Sequence, residues 1–393
     1  MTKVYDNATD LITFARLQSQ NTTSGSSYLG SDGLLKFAAE DEPRIEYGSD
    51  GSLKGLLIEE QRANLLAHSE DFTHSSWSKN NGSITAGATT APSGGLADQY
   101  VEDTSNSYHR VATPMSVTSG VTYTLSVLAK YSGRQYLVMN ANTLFNARSF
   151  FDIQAGTVAS TLAGTATIDD MGNGWFRCSI TATATSSHTT QAYIGTNTSA
   201  ADSAYLGDGT SGVYLYGAQL EEGSFPTSYI PTSGSQSTRS PDIASIPVSA
   251  FGYNQEAGTV VVEVDSMKAG VSQRLLSIYD PADPNNNRTD LLKNGNHFLQ
   301  HFTNDGGVNQ TNHAVSVLGL TSLKVAATIA LDDYSMCVNG GTVVAETDGT
   351  PTVPRVDTFR LGGGLSSPLN GHIKSLKYFP RRLTDAQLQE LTS

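Results

Sequence analysis

The chain has 393 residues, too many for one ordinary hydrophobic core, and its length predicts two or three domains. Only 16% of the residues are charged, 38% are hydrophobic, and this mixture with abundant Ser, Thr, Gly and Asn favours strands and turns over helices. The formal net charge of -13 is spread along the chain, which excludes the basic stripe that nucleic acid requires and disfavours anionic membrane surfaces.

Targeting and cofactor motifs are not evident in the sequence. The first twenty residues lack the apolar run of a signal peptide, and no segment approaches the roughly 20 apolar residues of a membrane span. Cys178 and Cys337 lie far apart, one in each half, which predicts free thiols and synthesis in a reducing cytoplasm. The scattered His residues have no zinc spacing, and no phosphate-binding loop or nucleophile elbow occurs, so we expect neither a metal nor a cofactor.

Residues 1–60 carry short apolar groups separated by Gly-Ser-Asp turns. Two turns of the same sequence, GSDG at residues 30–33 and 48–51, each precede a Leu-rich strand candidate and give a hairpin-like repeat. These groups are too short to form a core, so we expect them to pack on another part of the structure. Two interpretations stay open: a meander laid over the first module, or a segment that attaches the chain to a larger assembly.

Residues 61–231 alternate apolar and polar residues in short strands spaced about ten residues apart, the pattern of an antiparallel β-sandwich or jelly roll. In the strand candidates at residues 134–143, 176–183 and 191–198 the apolar residues share one face, and the polar and aromatic residues share the other. The outward set, with Trp175 at its edge, is Tyr136, Asn140, Trp175, Arg177, Tyr193 and Asn197.

This outward set has the chemistry of a glycan site. Aromatic rings cover the C–H faces of sugars, while Asn and Arg side chains hydrogen-bond their hydroxyl groups. The alternative is that the outward tyrosines cover the sheet, pack on the N-terminal segment or contact a neighbouring subunit, and that Trp175 is a packing residue.

A strand at residues 214–222 is expected to close the first module. Residues 232–241 contain no hydrophobic side chain and predict a flexible tether. The sequence thus divides into an N-terminal attachment segment (1–60), a carbohydrate-binding-like jelly roll (61–231), a linker (232–247) and a second sandwich (248–393).

The second module begins with a strand candidate at residues 258–266 and a Pro- and Asn-rich loop at 280–290. Residues 323–346 predict two or three strands joined by Asp-Asp and Asn-Gly turns, and the chain ends in a short helix whose Thr384 and Gln387 have capping-box spacing. The predicted fold class is all-β: two antiparallel β-sandwich (jelly-roll) modules in tandem, with an extended N-terminal attachment segment and a short C-terminal helix.

Several stretches resemble a known family. Residues 55–79, 172–185 and 214–232 resemble jelly-roll carbohydrate-binding modules of phage fibre and head-spike proteins, and residues 11–16 and 41–55 resemble the segment that introduces such a module. Residues 250–393, through VAATIALDD, CVNGG, FRLGGG and the final strand and helix, are similar to laminin-G-like and concanavalin-A-like sandwiches.

The resemblance implies a virion protein exposed on the particle surface, which binds a host surface polysaccharide for adsorption. It also implies contacts with other virion proteins through residues 1–60 and a homo-oligomer, with a trimer expected from fibre proteins. Two alternatives remain open: a structural decoration or spacer without a ligand, and a polysaccharide depolymerase.

The sequence matches the catalytic motif of hydrolases with this fold only in part. The hydrolases of the concanavalin-like fold carry E-x-D-x-E on one strand, and the nearest match here is Glu263, Asp265 and Met267, whose thioether cannot donate a proton. We therefore expect a protein that is not an enzyme.

The loop at residues 280–290 offers the remaining candidates. Asn287 and Arg288 predict a ligand-binding rim or, alternatively, a solvated turn. A calcium site formed by Asp280, Asp283 and Asp290 is a further possibility, although carboxylates are common on such loops, and the sequence predicts no metal.

Overall fold

The structure, a computed structural model, describes residues 13–16, 26–141, 148–201, 203–345, 351–363 and 367–393. The regular secondary structure of these residues consists almost entirely of antiparallel strands, which confirms the all-β fold class. The described residues contain no helix with the length and hydropathy of a membrane span.

The N-terminal strands form two hairpins at the predicted turns. Leu34 N–H and Ser52 N–H donate to the carboxylates of Asp32 and Asp50 within these turns. Gly33 and Gly51 have φ of 73° and 77°, a conformation that favours glycine. The strands are β1 (Thr13–Ala15), β2 (Ser26–Leu29), β3 (Leu35–Ala38), β4 (Ile45–Tyr47), β5 (Leu53–Ile58) and β6 (Arg62–Asn64).

The first sandwich consists of two six-stranded sheets around one hydrophobic core. Its strands are β7 (Ser78–Asn80), β8 (Gly82–Thr90), β9 (Leu96–Glu102), β10 (Asn106–Ser107), β11 (His109–Val117), β12 (Thr122–Ser132), β13 (Tyr136–Ala141), β14 (Arg148–Asp152), β15 (Thr157–Thr161), β16 (Thr165–Asp170), β17 (Trp175–Thr183), β18 (His188–Asn197), β19 (Tyr205–Leu206) and β20 (Gly212–Glu222). Sheet 1 has the order β15-β14-β13-β18-β11-β7, and sheet 2 has the order β16-β17-β12-β20-β9-β8; β10 and β19 pair with each other outside both sheets. The predicted strand at residues 214–222 lies inside sheet 2, and its Leu215 and Leu220 belong to the core.

The second sandwich has two seven-stranded sheets. Its strands and helix are β21 (Ser237–Arg239), β22 (Ile243–Pro247), β23 (Ala257–Asp265), β24 (Gln273–Tyr279), β25 (Arg288–Lys293), β26 (Phe298–Asp305), β27 (Val308–Ser316), β28 (Leu323–Ala330), β29 (Ser335–Val338), β30 (Val344–Ala345), β31 (Thr358–Leu361), β32 (Gly371–Phe379) and α1 (Asp385–Thr392). One sheet has the order β1-β22-β31-β24-β25-β26-β27 and the other β30-β29-β28-β23-β32-β5-β4; the pair β21-β6 stands outside both. The predicted capping box of α1 is confirmed, because Thr384 and Gln387 each accept from the other's backbone N–H.

The N-terminal strands join the sheets of the second sandwich and pack against the first. β1 pairs with β22 in one sheet of the second sandwich, and β5 pairs with β32 in the other. Leu35 and Phe37 of β3 instead pack on Trp175 and Tyr229 at the outer face of sheet 2. The described part of residues 1–60 therefore makes its contacts within the chain, whereas residues 1–12 and 17–25 lie outside the described residues.

Residues 232–241, which composition predicts to be a flexible tether, contain a strand and several buried side chains. β21 pairs with β6, and Ser237 and Arg239 are 3% and 2% exposed; the next residue after this stretch, Asp242, is also buried. These polar residues can be buried because Arg239 forms an ion pair with Glu59 of the N-terminal segment. Composition could not reveal this partner, which is 180 residues away in sequence.

A buried ionic cluster, formed by Arg16, Arg44, Glu59, Arg239 and Asp242, joins the N-terminal strands to the start of the second sandwich. The Ser228 hydroxyl, which follows the last strand of the first sandwich, donates to Glu59 at 2.7 Å and links that sandwich to the cluster. Arg44 is fully buried and donates to Glu59 at 2.7 Å and to Asp242, which also accepts from Arg16 at 3.0 Å. Burial raises the pKa of Glu59, but Arg239 and Arg44 outweigh it and hold this pKa well below its usual range. The cluster fixes residues from three parts of the chain in one arrangement.

Candidate functional site

The outer face of sheet 1 holds four of the predicted glycan candidates. On β13 and β18 the alternate residues Leu137, Met139 and Ile194 point into the core and are at most 1% exposed, as the alternation predicts. The opposite face consequently holds the other set, in which Asn140 (5% exposed) is the cross-strand partner of Tyr193 and Tyr136 is the partner of Asn197 (3% exposed). Antiparallel pairing thus places residues more than 50 positions apart side by side.

A shallow groove crosses this face. We call it the Tyr193 groove; it is lined by Tyr108, Arg110, Asn140, Arg148, Tyr193 and Asn197, among others. Its cavity volume is about 20 Å³, close to that of one enclosed water molecule. A ligand larger than one water-sized group would therefore lie across the groove, and only part of it would enter.

Arg110 is the central cation of the Tyr193 groove. Its guanidinium carbon lies 3.9 Å from the ring centroid of Tyr193 and 5.6 Å from that of Tyr108. Cation–π contact with both rings restricts the side chain. The described residues supply no ion pair to Arg110, whereas Arg134, elsewhere in this sandwich, meets both Glu102 and Asp208.

Gly195 forms the floor of the groove between Tyr193 and Asn197 on β18. It is the cross-strand partner of Arg110 on one side and of Val138 on the other. A Cβ atom at this position would lie 2.4 Å from the carbonyl oxygen of His109 and 2.7 Å from the Cβ of Arg110. The groove therefore requires glycine here, because any side chain would collide with backbone as well as fill the floor.

Arg148 adds a second positive charge at the edge of the groove. It lies on β14 as the cross-strand partner of Asn140. Burial lowers the pKa of Arg148 from its ordinary value, and the positive charge of Arg110 lowers it further, while Tyr108 acts in the opposite direction.

Asn197 and Tyr136 lie on the same face but differ in their surroundings. Asn197 lines the groove, yet its side-chain amide donates to the carbonyl of Ala201 at 2.9 Å and its oxygen accepts from Thr198 N–H at 2.7 Å. These bonds make Asn197 part of the loop that follows β18. Tyr136 is half-buried and lies beyond the groove, paired with Asn197 and Asp152.

Trp175 and Arg177 lie in sheet 2, on the opposite side of the sandwich, and are not brought together with the groove residues. Trp175 is 2% exposed and packs with Leu35 and Tyr229 under the N-terminal hairpin. Arg177 donates to Ser126 at 3.0 Å and to the carbonyl of Thr227 at 2.5 Å. The sequence correctly predicts that both residues point away from the core, but not that the N-terminal segment covers this face.

Arg110 and Arg148 are the groove residues that sequence reasoning missed. The alternation of Val111, Met115 and Val117, all core residues of β11, would have placed Arg110 outward. Nothing local, however, indicates that β11 pairs with β18, because Arg110 and its cross-strand partner Gly195 are 85 positions apart.

The second sandwich places Asn287 and Arg288 at the start of β25. The side-chain oxygen of Asn287 accepts from Gly306 N–H at 2.9 Å, so it links two loops. Arg288 Nε lies 3.2 Å from the Asp290 carboxylate, and its guanidinium carbon lies 5.3 Å from the Phe302 ring centroid. Both side chains are half-buried, and the ligand-binding rim stays a prediction.

The three carboxylates weighed as a calcium site are engaged separately. Asp280 accepts from Ala282 N–H, Asp283 from the Asn286 side chain, and Asp290 lies beside Arg274 and Arg288. The described residues include no group of three or more His, Cys, Asp or Glu side chains that could hold a metal ion.

Glu263 and Asp265 lie on β23, with the thioether of Met267 buried in the core. Asp265 accepts from the Ser322 hydroxyl and lies 3.6 Å from Lys374 Nζ. Burial raises its pKa, but the Ser322 and Ser266 hydrogen bonds and Lys374 outweigh it and lower the pKa below its ordinary value. Asp265 is therefore unsuited to donate a proton at neutral pH.

Comparison with known proteins gives weak similarities. No family model matches the chain, and no curated protein matches it. The chain is similar to the solved carbohydrate-binding module CBM40 of the Ruminococcus gnavus IT-sialidase bound to α2,3-sialyllactose, with 19% identity over 36% of this chain and 84% of that one and a TM-score of 0.32.

Two further solved structures show similarity at the same level. The K499G mutant of NanB sialidase from Streptococcus pneumoniae is 20% identical over 38% of this chain and 26% of that one, with a TM-score of 0.33. The heptameric SAP-like pentraxin of Limulus polyphemus is 12% identical over 36% and 73%, with a TM-score of 0.29. Similarity at this level carries no argument about ligand or activity.

Proposed function

We propose that the chain is a non-enzymatic subunit of a virion fibre or head spike, exposed on the particle, which binds a host cell-surface glycan through the Tyr193 groove. The observation that carries the glycan-binding part is the grouping of Arg110, Asn140 and Tyr193 on one outward sheet face. The three side chains combine an aromatic ring, an amide and a guanidinium, which are the groups that recognise sugars.

The groove suits binding better than cleavage. Glycoside hydrolysis generally needs two carboxyl groups on either side of the scissile bond, one of them able to donate a proton. The described residues that line the groove, which include His109 and Thr196, carry no carboxyl group, and in the second sandwich Asp265 is held ionised beside Met267. This distribution of groups supports a protein that is not an enzyme.

The virion role is supported by the sequence resemblance of residues 55–79, 172–185 and 214–232 to phage fibre and head-spike modules. Attachment to other virion proteins is proposed for the N-terminal segment, and a homo-oligomer, with a trimer as the expected form, would display several grooves. A shallow groove binds one sugar weakly, and several copies on one particle would raise the overall avidity by about 10²–10⁴.

The test is binding of the full chain to capsule and lipopolysaccharide from candidate hosts, measured by biolayer interferometry. We expect Tyr193→Ala to weaken binding at least about tenfold, because loss of the ring removes both a sugar contact and the support for Arg110. The matched control is Tyr136→Ala, which removes a tyrosine from the same face beyond the groove, and thermal melting of both variants checks the fold.

Three other outcomes would contradict parts of the proposal. Equal loss in both tyrosine variants would mean that the groove is not the site. A wild-type chain that binds no host polysaccharide would indicate a structural decoration or spacer. A fall in the viscosity of the capsule preparation on addition of the chain would indicate a depolymerase.

A further inference from the structure

We infer that the Tyr193 groove selects acidic saccharides, with the Arg110 guanidinium donating to a carboxylate or another oxyanion carried by the sugar. This inference rests on the proposed glycan-binding function and names the class of glycan. It is carried by the geometry of Arg110 and by the size and charge of the groove.

The guanidinium of Arg110 is prepared for an anion before any ligand binds. The rings of Tyr193 and Tyr108 hold it at 3.9 Å and 5.6 Å, and the described residues provide no carboxylate partner for it. Its Nε is buried without a hydrogen bond. A planar fork of N–H donors that is already oriented matches an oxyanion with little loss of side-chain entropy.

A second arginine, Arg148, lines the same groove as Arg110. Arg148 lies on the same outward face; burial lowers its pKa, and the positive charge of Arg110 adds a smaller lowering. A negatively charged substituent between the two arginines would relieve the repulsion of their like charges. A neutral sugar would bring no compensating charge and would still have to displace water from the two guanidinium groups.

The dimensions of the groove limit what can enter. A cavity of about 20 Å³ above Gly195 has room for one water-sized group. One oxygen of a carboxylate could replace that water while the sugar ring remains on the surface. The groove therefore fits a single acidic substituent.

Because the chain as a whole is negatively charged, only the Tyr193 groove would attract an acidic glycan. With a net charge of -13, the protein repels polyanions at a distance, and at physiological salt that repulsion is screened beyond about 8 Å. Attraction is confined to the groove, so an acidic glycan would be recognised by its fit and not by bulk charge. The same net charge disfavours general binding of polyanions such as nucleic acid.

The experiment compares acidic glycans with their neutral counterparts on the full wild-type chain. The probes are an acidic host capsule before and after carboxyl reduction, sialyllactose with lactose, and a sulfated polysaccharide with its desulfated form. We expect each acidic probe that binds to do so at least about tenfold more tightly than its neutral counterpart. Preference for the carboxylate pairs or for the sulfated pair identifies the oxyanion.

Variants then assign the effect to Arg110. Arg110→Gln should abolish the difference between acidic and neutral probes, and Arg110→Lys, which keeps the charge without the planar fork, should restore only part of it. The control is Arg355→Gln, since Arg355 is 80% exposed and lies in the second sandwich. If Arg110→Gln does not fold, the paired probes on the wild-type chain still decide the question.

The outcomes separate this inference from the proposed function. Equal affinity for acidic and neutral probes would overturn the acidic selectivity and leave glycan binding intact. No binding to any probe would overturn both. Acidic selectivity that survives in Arg110→Gln would show that another site is responsible.

Discussion

The substitution Asp242→Asn tests whether the buried ionic cluster holds the two sandwiches and the N-terminal strands together. The Asp242 side chain is fully buried and accepts from Arg16, Arg44 and the backbone N–H of Glu59. An asparagine has the same shape but no charge, and its amide would direct N–H groups at one of the arginine donors.

The expected loss of stability in Asp242→Asn follows from the charges of the buried ionic cluster. The wild-type cluster contains three guanidinium groups and two carboxylates, whereas the variant retains three cations and only the carboxylate of Glu59. Removing one partner of a buried ion pair costs about 3–5 kcal/mol, because the remaining charge stays buried without compensation. For a cooperative unit of about 150–250 residues this lowers Tm by about 6–20 °C.

The assay is thermal unfolding followed by circular dichroism at neutral pH. The matched control is Glu256→Gln, another carboxylate-to-amide change, at an ion pair with Arg355 whose side chains are 75% and 80% exposed. Such a surface pair contributes about 0–1 kcal/mol, so the control should melt close to the wild type. If Asp242→Asn also melts within about 2 °C of the wild type, the cluster does not hold the sandwiches together.

Three further changes test other features. The pKa of Glu59 is lowered in the folded state, so its contribution to the stability of the fold is complete above its unfolded pKa of about 4.3 and is lost as the pH falls. The difference in Tm between the wild type and Glu59→Gln should therefore shrink below about pH 4. A difference that stays constant with pH would contradict this. Gly195→Ser should abolish glycan binding and lower the free energy of unfolding by about 1–3 kcal/mol, because the Cβ of the serine would collide with the carbonyl oxygen of His109. Unchanged binding would show that the glycan does not contact the floor of the Tyr193 groove. Thr384→Ala should cost about 1 kcal/mol and speed hydrogen exchange in α1 alone, and unchanged exchange would mean that the capping box contributes nothing.

Local patterns in the sequence predict much of the fold. The alternation in the described residues 136–141 and in 191–197 correctly separates core from outward residues, because a strand has a period of two whatever it pairs with. The GSDG turns and the capping box of Thr384 are likewise local, and the structure contains all of them.

Pairing over long distances is not visible in a single sequence. Residues 232–241 have the composition of a tether, but Arg239 meets Glu59 across 180 positions, and this partner permits their burial. For the same reason Asn140 and Tyr193 could be predicted as outward residues, while Arg110 could not be joined to them until the strand order of sheet 1 was known. The cover over Trp175 likewise depends on where the N-terminal hairpin packs.

The most direct measurement is the structure of the full chain in complex with an oligosaccharide fragment of the host polysaccharide. We expect the sugar to lie across the Tyr193 groove, with an acidic substituent at Arg110 above Gly195. A sugar bound in the second sandwich near Arg288, with the groove empty, would contradict the proposed site.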